Sequence, residues 1–267
     1  PFYARSSDGG ATWSAGRDVG ESPVAAFGPN VAVGPDEVLH LVWHDRRGGG
    51  GNVKLFYRRS SDGGLSWETP RELVNPPGQD VGDASLSVDT RGRVHLAWHV
   101  GDPNEAGAVA RSFYARSLDG GDTFEPAQQL NTANAHAAFP RFTVQGTDGQ
   151  TVAIAWRDNR RDPDWDVYVA VSQDGGATFS ERVGVATPVQ DWDPEAMVAP
   201  DGVIHLSWMT VRNPGFDIAI DVARSSDGGR SWSAARTLSE ASSRVPSWAP
   251  DHAQMGRETG RVAVAWR

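Results

Sequence analysis

A short run of alternating apolar and polar residues returns five times along this 267-residue chain. It reads VLHLVWHD over 38–45, VHLAWH over 94–99, VAIAWRD over 152–158, VIHLSWM over 203–209 and VAVAWR over 262–267. Period-two alternation with β-branched enrichment predicts a strand, with the repeated tryptophans Trp43, Trp98, Trp156, Trp208 and Trp266 on its buried face. Downstream comes another apolar segment, LFYRRS at 55–60, SFYARS at 112–117 and DVYVAVS at 166–172. A further short strand is predicted upstream of each tryptophan segment, and a fourth at the end of each repeat. Four antiparallel strands per repeat make the blade of an all-β propeller.

Between the third and fourth strands stands one phrase in five near-copies: SSDGGATW from Ser6, SSDGGLSW from Ser60, SLDGGDTF from Ser117, SQDGGATF from Ser172 and SSDGGRSW from Ser225. Its aspartates, Asp8, Asp62, Asp119, Asp174 and Asp227, are 54, 57, 55 and 53 residues apart, a period that means stacked supersecondary units. Gly-Gly supplies the positive-φ positions of a tight hairpin, and Ser and Asp bond nearby backbone groups. These aspartates are therefore read as structural, with the closing aromatic (Trp13, Trp67, Phe124, Phe179, Trp232) as an apolar plug. The phrase resembles the Asp-box, Ser-x-Asp-x-Gly-x-Thr-Trp, of the sialidase-like BNR-repeat propellers. The resemblance covers the whole chain and speaks for fold more than for activity.

The two ends decide the expected blade count. The chain begins in a third strand, Phe2 to Ser6, and stops after a second strand, Val262 to Trp266. Five blades follow, over about 21–75, 76–130, 131–186, 187–239 and a closing blade shared between 240–267 and 1–20, in a single domain. Sialidases have six, and a sixth blade outside this chain is the alternative.

Composition narrows the function classes. There is no apolar run long enough for a helical membrane span, no cysteine, and a net charge of −9 that argues against nucleic acid. All basic residues but Lys54 are arginines, forks that suit carboxylate or phosphate, although base composition of the genome is the preferred explanation. No signal peptide is visible and the chain starts at Pro1, which suggests a mature or trimmed product, secreted or periplasmic, and a monomer. No cofactor and no metal are expected; Asp162, Asp164 and Asp166 alternate but lack the glycine and glutamate of a calcium loop.

The boxes fill one face, so a ligand is expected on the opposite one, where the longer loops gather around the channel. Three tryptophans fall outside the repeat, Trp165, Trp192 and Trp248, all in predicted loops of that face, and offer planes for sugar stacking. The innermost strands align Asn30, Ser85, Arg141, Glu195 and Asp251 as a polar ring, with Glu195 and Asp251 as candidate catalytic carboxylates. Asp191 or Asp193 would raise the pKa of Glu195 by like charge. Arg47, Arg160 and Arg212 end Trp-x-Asp-x-Arg or its remnant; they are read first as loop-ordering partners of Asp45 and Asp158, then as ligand groups, and Arg244 lies in another such loop. The histidines do not cluster in the repeat alignment, His40, His95 and His205 being one packing position.

The sialidase resemblance implies an arginine triad on a substrate carboxylate, a Tyr–Glu nucleophile and an Asp acid/base. Arg141 resembles the first-strand arginine of that family, in Phe139-Pro140-Arg141-Phe142. The tyrosines depart from the pattern: Tyr3, Tyr57, Tyr114 and Tyr168 all sit on third strands before a box, so no nucleophile is offered at the mouth. The expectation is recognition of a glycan or other polar ligand. The alternatives are a glycoside hydrolase, sialidase-type or of the five-bladed arabinanase and fructosidase type, and a scaffold that binds protein.

Overall fold

The computed structural model describes residues 1–47, 52–74, 79–102, 109–132, 136–144, 147–160, 165–185, 187, 189–213 and 217–238. Among them there is no helix. A two-stranded pair, β1 (Phe2–Tyr3) and β2 (Arg17–Asp18), precedes four antiparallel four-stranded units. The first is β3 (Ala26–Val33), β4 (Leu39–Asp45), β5 (Lys54–Ser60) and β6 (Arg71–Val74). The second is β7 (Val81–Val88), β8 (Val94–Val100), β9 (Arg111–Ser117) and β10 (Gln128–Gln129). The third is β11 (Ala137–Thr143), β12 (Val152–Asp158), β13 (Asp166–Ser172) and β14 (Ser180–Val185). The fourth is β15 (Gln190–Val198), β16 (Ile204–Asn213), β17 (Asp217–Ser225) and β18 (Arg236–Thr237).

In each unit the strands pair in sequence order, and units meet through their first strands. Strands β11 and β15 pair in parallel, Phe142 with Ala196 and Thr143 with Met197. Between β7 and β11 the hydroxyl of Ser87 accepts the Val144 N–H at 3.0 Å. Meeting through first strands is the blade arrangement that the alternating segments predict. The alternation itself is satisfied by burial: Trp43, Trp98, Trp156 and Trp208 are fully buried. At ~25 cal/mol per Å² and ~200 Å² of ring, each is worth at most about 5 kcal/mol.

The boxes close the β5, β9, β13 and β17 ends as tight turns. In the second copy Ser60 Oγ donates to Asp62 Oδ1 and accepts the Gly64 N–H, both at 2.8 Å, while Asp62 accepts the Ser66 N–H at 2.8 Å. Gly63 and Gly64 take φ of 67° and 84°, open to glycine without strain. The same bonds recur around Asp8, Asp119, Asp174 and Asp227. Hydrogen bonds from the box hydroxyl and N–H hold the carboxyls of Asp8, Asp62 and Asp174 down at about 2.

Three of the boxes are also docking points for the preceding unit. Tyr3 meets Trp67 edge-on at 5.3 Å, Tyr57 meets Phe124 at 5.3 Å and Tyr114 meets Phe179 at 4.8 Å. The closing aromatics thus plug the junction between neighbouring blades. Trp13 of the first box is 66% exposed. The predicted strand 262–267, Asp251, Trp248 and Arg244 lie outside the described residues, as do Asp162 and Asp164.

Candidate functional site at the channel mouth

Register places the mouth. Ser60 pairs with Leu39 and Leu39 with Val33, so the boxes mark one end of every blade and residues 26–30 the other. At that other end each first strand breaks its ladder in one place, between Phe27 and Asn30, Gly82 and Ser85, Ala138 and Arg141, and Trp192 and Glu195. These are bulges. In each, the residue before the repeated Pro or Ala adopts a positive φ: Gly28 at 54°, Asp83 at 41°, Phe139 at 59° and Asp193 at 45°. For the three non-glycines that conformation costs on the order of 1–3 kcal/mol. The bulge turns those side chains to the inner end of the blade, over the residue that follows the buried tryptophan: His44, His99 and Arg157.

The result is one charged cluster built from four blades. Asp193 is attracted by Arg157 and Arg141 and repelled by Asp83; burial, the largest influence, raises its pKa. Burial likewise lowers the pKa of Arg157, against the pull of Asp193 and Asp83. His99 is held down at about 4, first by burial, with Arg157, Arg141 and His44 adding to it, and burial lowers His44 as well. Among these described residues the cluster at neutral pH comprises the guanidiniums of Arg141 and Arg157, the carboxyls of Asp83 and Asp193 and the uncharged imidazoles of His44 and His99. The histidine alignment missed this: His44 and His99 do converge, both facing Asp83.

Aromatic planes wall the cluster. The Arg157 guanidinium lies 4.1 Å from the Phe139 ring centroid and 4.6 Å from that of Trp165. Phe139 also packs on His99 at 5.1 Å, and Phe27 stacks on His44 at 5.9 Å. Nε of Arg157 and Nδ1 of His44 are buried without a hydrogen-bond partner among the described residues.

The residues expected from sequence divide into three groups. Asn30, Ser85, Arg141 and Glu195 occupy one register, opposite Val42, Ala97, Ala155 and Ser207, just inside the bulge. Ser85 is buried and bonded to the Phe142 backbone; Asn30, Arg141 and Glu195 are half-buried. Trp165 and Trp192 are both half-buried, and Trp192 lies within β15 opposite Met209 rather than in a loop, because the strand extends past the bulge to Gln190. Arg141 and Trp165 belong to the cluster; Asp83, Arg157, His44 and His99 were missed, and Asp193 was named only as a neighbour of Glu195. The signal was available: a Pro repeated inside a strand marks a bulge.

The third group turns away. Arg47 donates to Asp45 at 2.8 Å and to Gly20 O at 2.5 Å, with its guanidinium over Phe56. Arg160 donates to Asp158 and Glu181 over the Tyr168 ring. Trp43 and Trp156 complete these motifs, giving their indole N–H to Asp45 and Asp158 at 3.0 and 3.2 Å. Where Val100 and Thr210 replace the Asp, the indole nitrogens of Trp98 and Trp208 have no partner among the described residues. Arg212 is still within β16, and reaches outward to Thr237 at 2.6 Å and Asp221 at 3.3 Å.

One neighbouring carboxyl stands apart. Asp191 is fully buried between Thr187 and Thr210, whose hydroxyls donate at 3.0 and 3.1 Å. Burial pushes it up to about 7, helped by Asp166 and Asp221. The raised carboxyls in this stretch are thus Asp191 and Asp193 themselves.

The repeat, the boxes and the blade geometry agree with what comparison finds. The model of the BNR repeat-like domain matches residues 43–244. The chain belongs to that family. A Hadza microbial sialidase, Hz136, aligns at 20% identity and TM-score 0.58, over 78% of this chain and 46% of its own. A protein of unknown function from Dyadobacter fermentans DSM 18053 aligns at 17% identity and TM-score 0.64, over 85% and 71%. The intramolecular trans-sialidase from Ruminococcus gnavus, in complex with oseltamivir carboxylate, aligns at 12% identity and TM-score 0.62, over 81% and 71%. The chain thus spans under half the length of the Hz136 chain and about seven tenths of the other two. Identities this low speak for the fold, a sialidase-like β-propeller of the BNR type. No curated protein matches the sequence.

Proposed function

We propose that this BNR propeller recognises an acidic sugar at the channel mouth, with Arg157 and Arg141 taking the carboxylate. The observation that carries this is Arg157: a half-buried guanidinium held between the Phe139 and Trp165 rings, its Nε without a partner. An arginine fork matches a carboxylate in two parallel bonds, and a desolvated fork does so with more energy. Phe139, Trp165 and Trp192 supply apolar planes for the ring, and Asp83 and Asp193 accept its hydroxyls. The Ruminococcus gnavus enzyme, whose ligand is named as a carboxylate, supports the choice of an acidic sugar. The test is calorimetric titration with 3′-sialyllactose against neutral lactose. Sialyllactose binding that falls at least tenfold in Arg157→Gln supports the reading. Equal affinity for both sugars, or none for either, overturns it.

A hydrolytic reading rests on Asp193, whose burial-raised carboxyl suits a proton donor to a glycosidic oxygen, with Glu195 or Asp251 as the second carboxylate. Protonation of the leaving oxygen accompanies cleavage of its bond to the anomeric carbon, and a water activated by the second carboxylate supplies the new hydroxyl. Tyr57, Tyr114 and Tyr168 lie buried on third strands and Tyr3 lies on β1, which disfavours the tyrosine route of sialidases. Release of lactose from 3′-sialyllactose, abolished in Asp193→Asn with binding kept, is the expected signature.

Ring closure is part of the same proposal: residues 240–267 supply the two inner strands of a fifth blade whose outer pair is β1 and β2. In support, Phe2 is 78% exposed and Val31 and Val33 of β3 about half exposed, whereas the matching β7 positions, Leu86 and Val88, are buried. An open groove along the far side of the fourth unit, past Leu206, Val222 and Leu238, is the other face such a blade would cover. Closure would bring Asp251 into the Asn30 register.

A further inference from the structure

We infer that the box face carries a second binding site, a cleft between the third and fourth units that receives the guanidinium of an arginine side chain presented by a peptide or protein partner. The argument comes from the repeat. At three successive junctions the arginine three residues before a box aspartate reaches the next box and donates to the carbonyl of its first glycine. Arg5 reaches Gly63 O at 3.3 Å, Arg59 reaches Gly120 O at 2.7 Å and Arg116 reaches Gly175 O at 2.5 Å. In the third unit that position is Val171, which is buried in the apolar core and carries no donor. The next box, around Asp227, therefore lacks this arginine.

The place it would occupy opens onto a cleft, with the Gln173 side-chain amide standing beside Gly228, 3.2 Å from where a Cβ on that glycine would lie. A cleft of about 590 Å³ lies there, lined by Val171, Gln173, Asp174, Ser226, Gly228 and Arg230 among others. Gly228 is the box glycine whose counterparts Gly63, Gly120 and Gly175 accept the guanidiniums. Its walls carry two box carboxylates, Asp174 and Asp227, both held ionised by their own turns. A planar fork suits this site better than an ammonium. At two of the other junctions the same group serves two acceptors at once, Arg59 also bonding Asp122 at 2.5 Å and Arg116 also Asp174 O at 3.4 Å. One wall residue opposes a cation: Arg230, exposed and tied to the Asp227 carbonyl at 3.0 Å.

The probe is an acetyl-Tyr-Ala-Arg-amide peptide, a copy of residues 114–116, titrated into the isotope-labelled protein. Its control carries citrulline, the uncharged isostere, in place of arginine. Amide shifts at Gln173, Ser226 and Gly228 with the arginine peptide, at least fivefold weaker with citrulline, are expected. Val171→Arg restores the internal group and should abolish the shifts; Arg230→Ala removes the opposing charge and should tighten binding several-fold. No shift at these amides, or equal shifts with both peptides, overturns the inference on the wild-type protein alone, whatever the variants do.

Discussion

The hydroxyl of Tyr57 sits so close over Gly121 that a Cβ on the glycine would lie 2.0 Å from it. The tyrosine belongs to one blade and the glycine to the Asp-box of the next, so the space left by a missing side chain is what lets blades dock. The neighbouring Gly120 has a positive φ as well, but a Cβ there meets nothing within 4 Å. Both positions strain an alanine; only one also collides. Gly120→Ala should therefore cost about 1 kcal/mol, and Gly121→Ala more than about 3 kcal/mol, strain and overpacking together. Urea unfolding of the two variants decides it, and equal losses would refute the docking role.

Asp191 predicts a pH dependence of unusual sign. Its folded pKa, pushed up to about 7 by burial, exceeds the ordinary unfolded value of about 3.9. The folded state binds this proton more tightly, so its contribution is intact below about pH 4 and is lost as pH rises towards 7. Asp191→Asn keeps an acceptor for Thr187 and Thr210 without the charge. It should be more stable than the wild type at pH 8, by on the order of 2–4 kcal/mol, and nearly equal to it at pH 4. Thermal melts across that range give the comparison.

The Trp-Asp-Arg motif predicts an asymmetric double-mutant cycle. Removing Asp158 deprives the Trp156 indole of its acceptor, a state the fold already tolerates at Trp98 and Trp208. The larger loss falls on Arg160, which keeps only Glu181. Asp158→Ala should cost about 3 kcal/mol, and Arg160→Met added to it should restore part of that. Additive losses in the cycle would mean that the pair does not act as a unit.

At the mouth, strain and function should separate. Asp193 holds a φ of 45°, at the position where the first unit has Gly28. In Asp193→Gly the relief of on the order of 1–3 kcal/mol offsets the lost attraction to Arg157 and Arg141. Stability should change by less than about 1 kcal/mol, while affinity for 3′-sialyllactose falls at least tenfold. A variant that binds normally would remove Asp193 from the site.

Much of this was legible in the chain because it depends on neighbours close in sequence. The Asp-box bonds span two to four residues, and period-two alternation reports which face of a strand is buried, so boxes, blades and the shared register of Asn30, Ser85, Arg141 and Glu195 could be read from the repeat. The mouth could not. Bulges lengthen each first strand by one residue relative to its partner and re-aim Asp83, Phe139 and Asp193, and which of them meet depends on four blades being placed side by side. The pairing of Arg47 with Asp45 and of Arg160 with Asp158 was legible in the repeated Trp-x-Asp-x-Arg, whereas Glu181, the second partner of Arg160, comes from a separate strand. Likewise, the exchange of Arg for Val171 is an ordinary substitution in sequence and opens a cleft only because the next box lies against it. Local hydrogen bonding and alternation are properties of the chain; the grouping of charges from separate blades is decided by how the sheets pack.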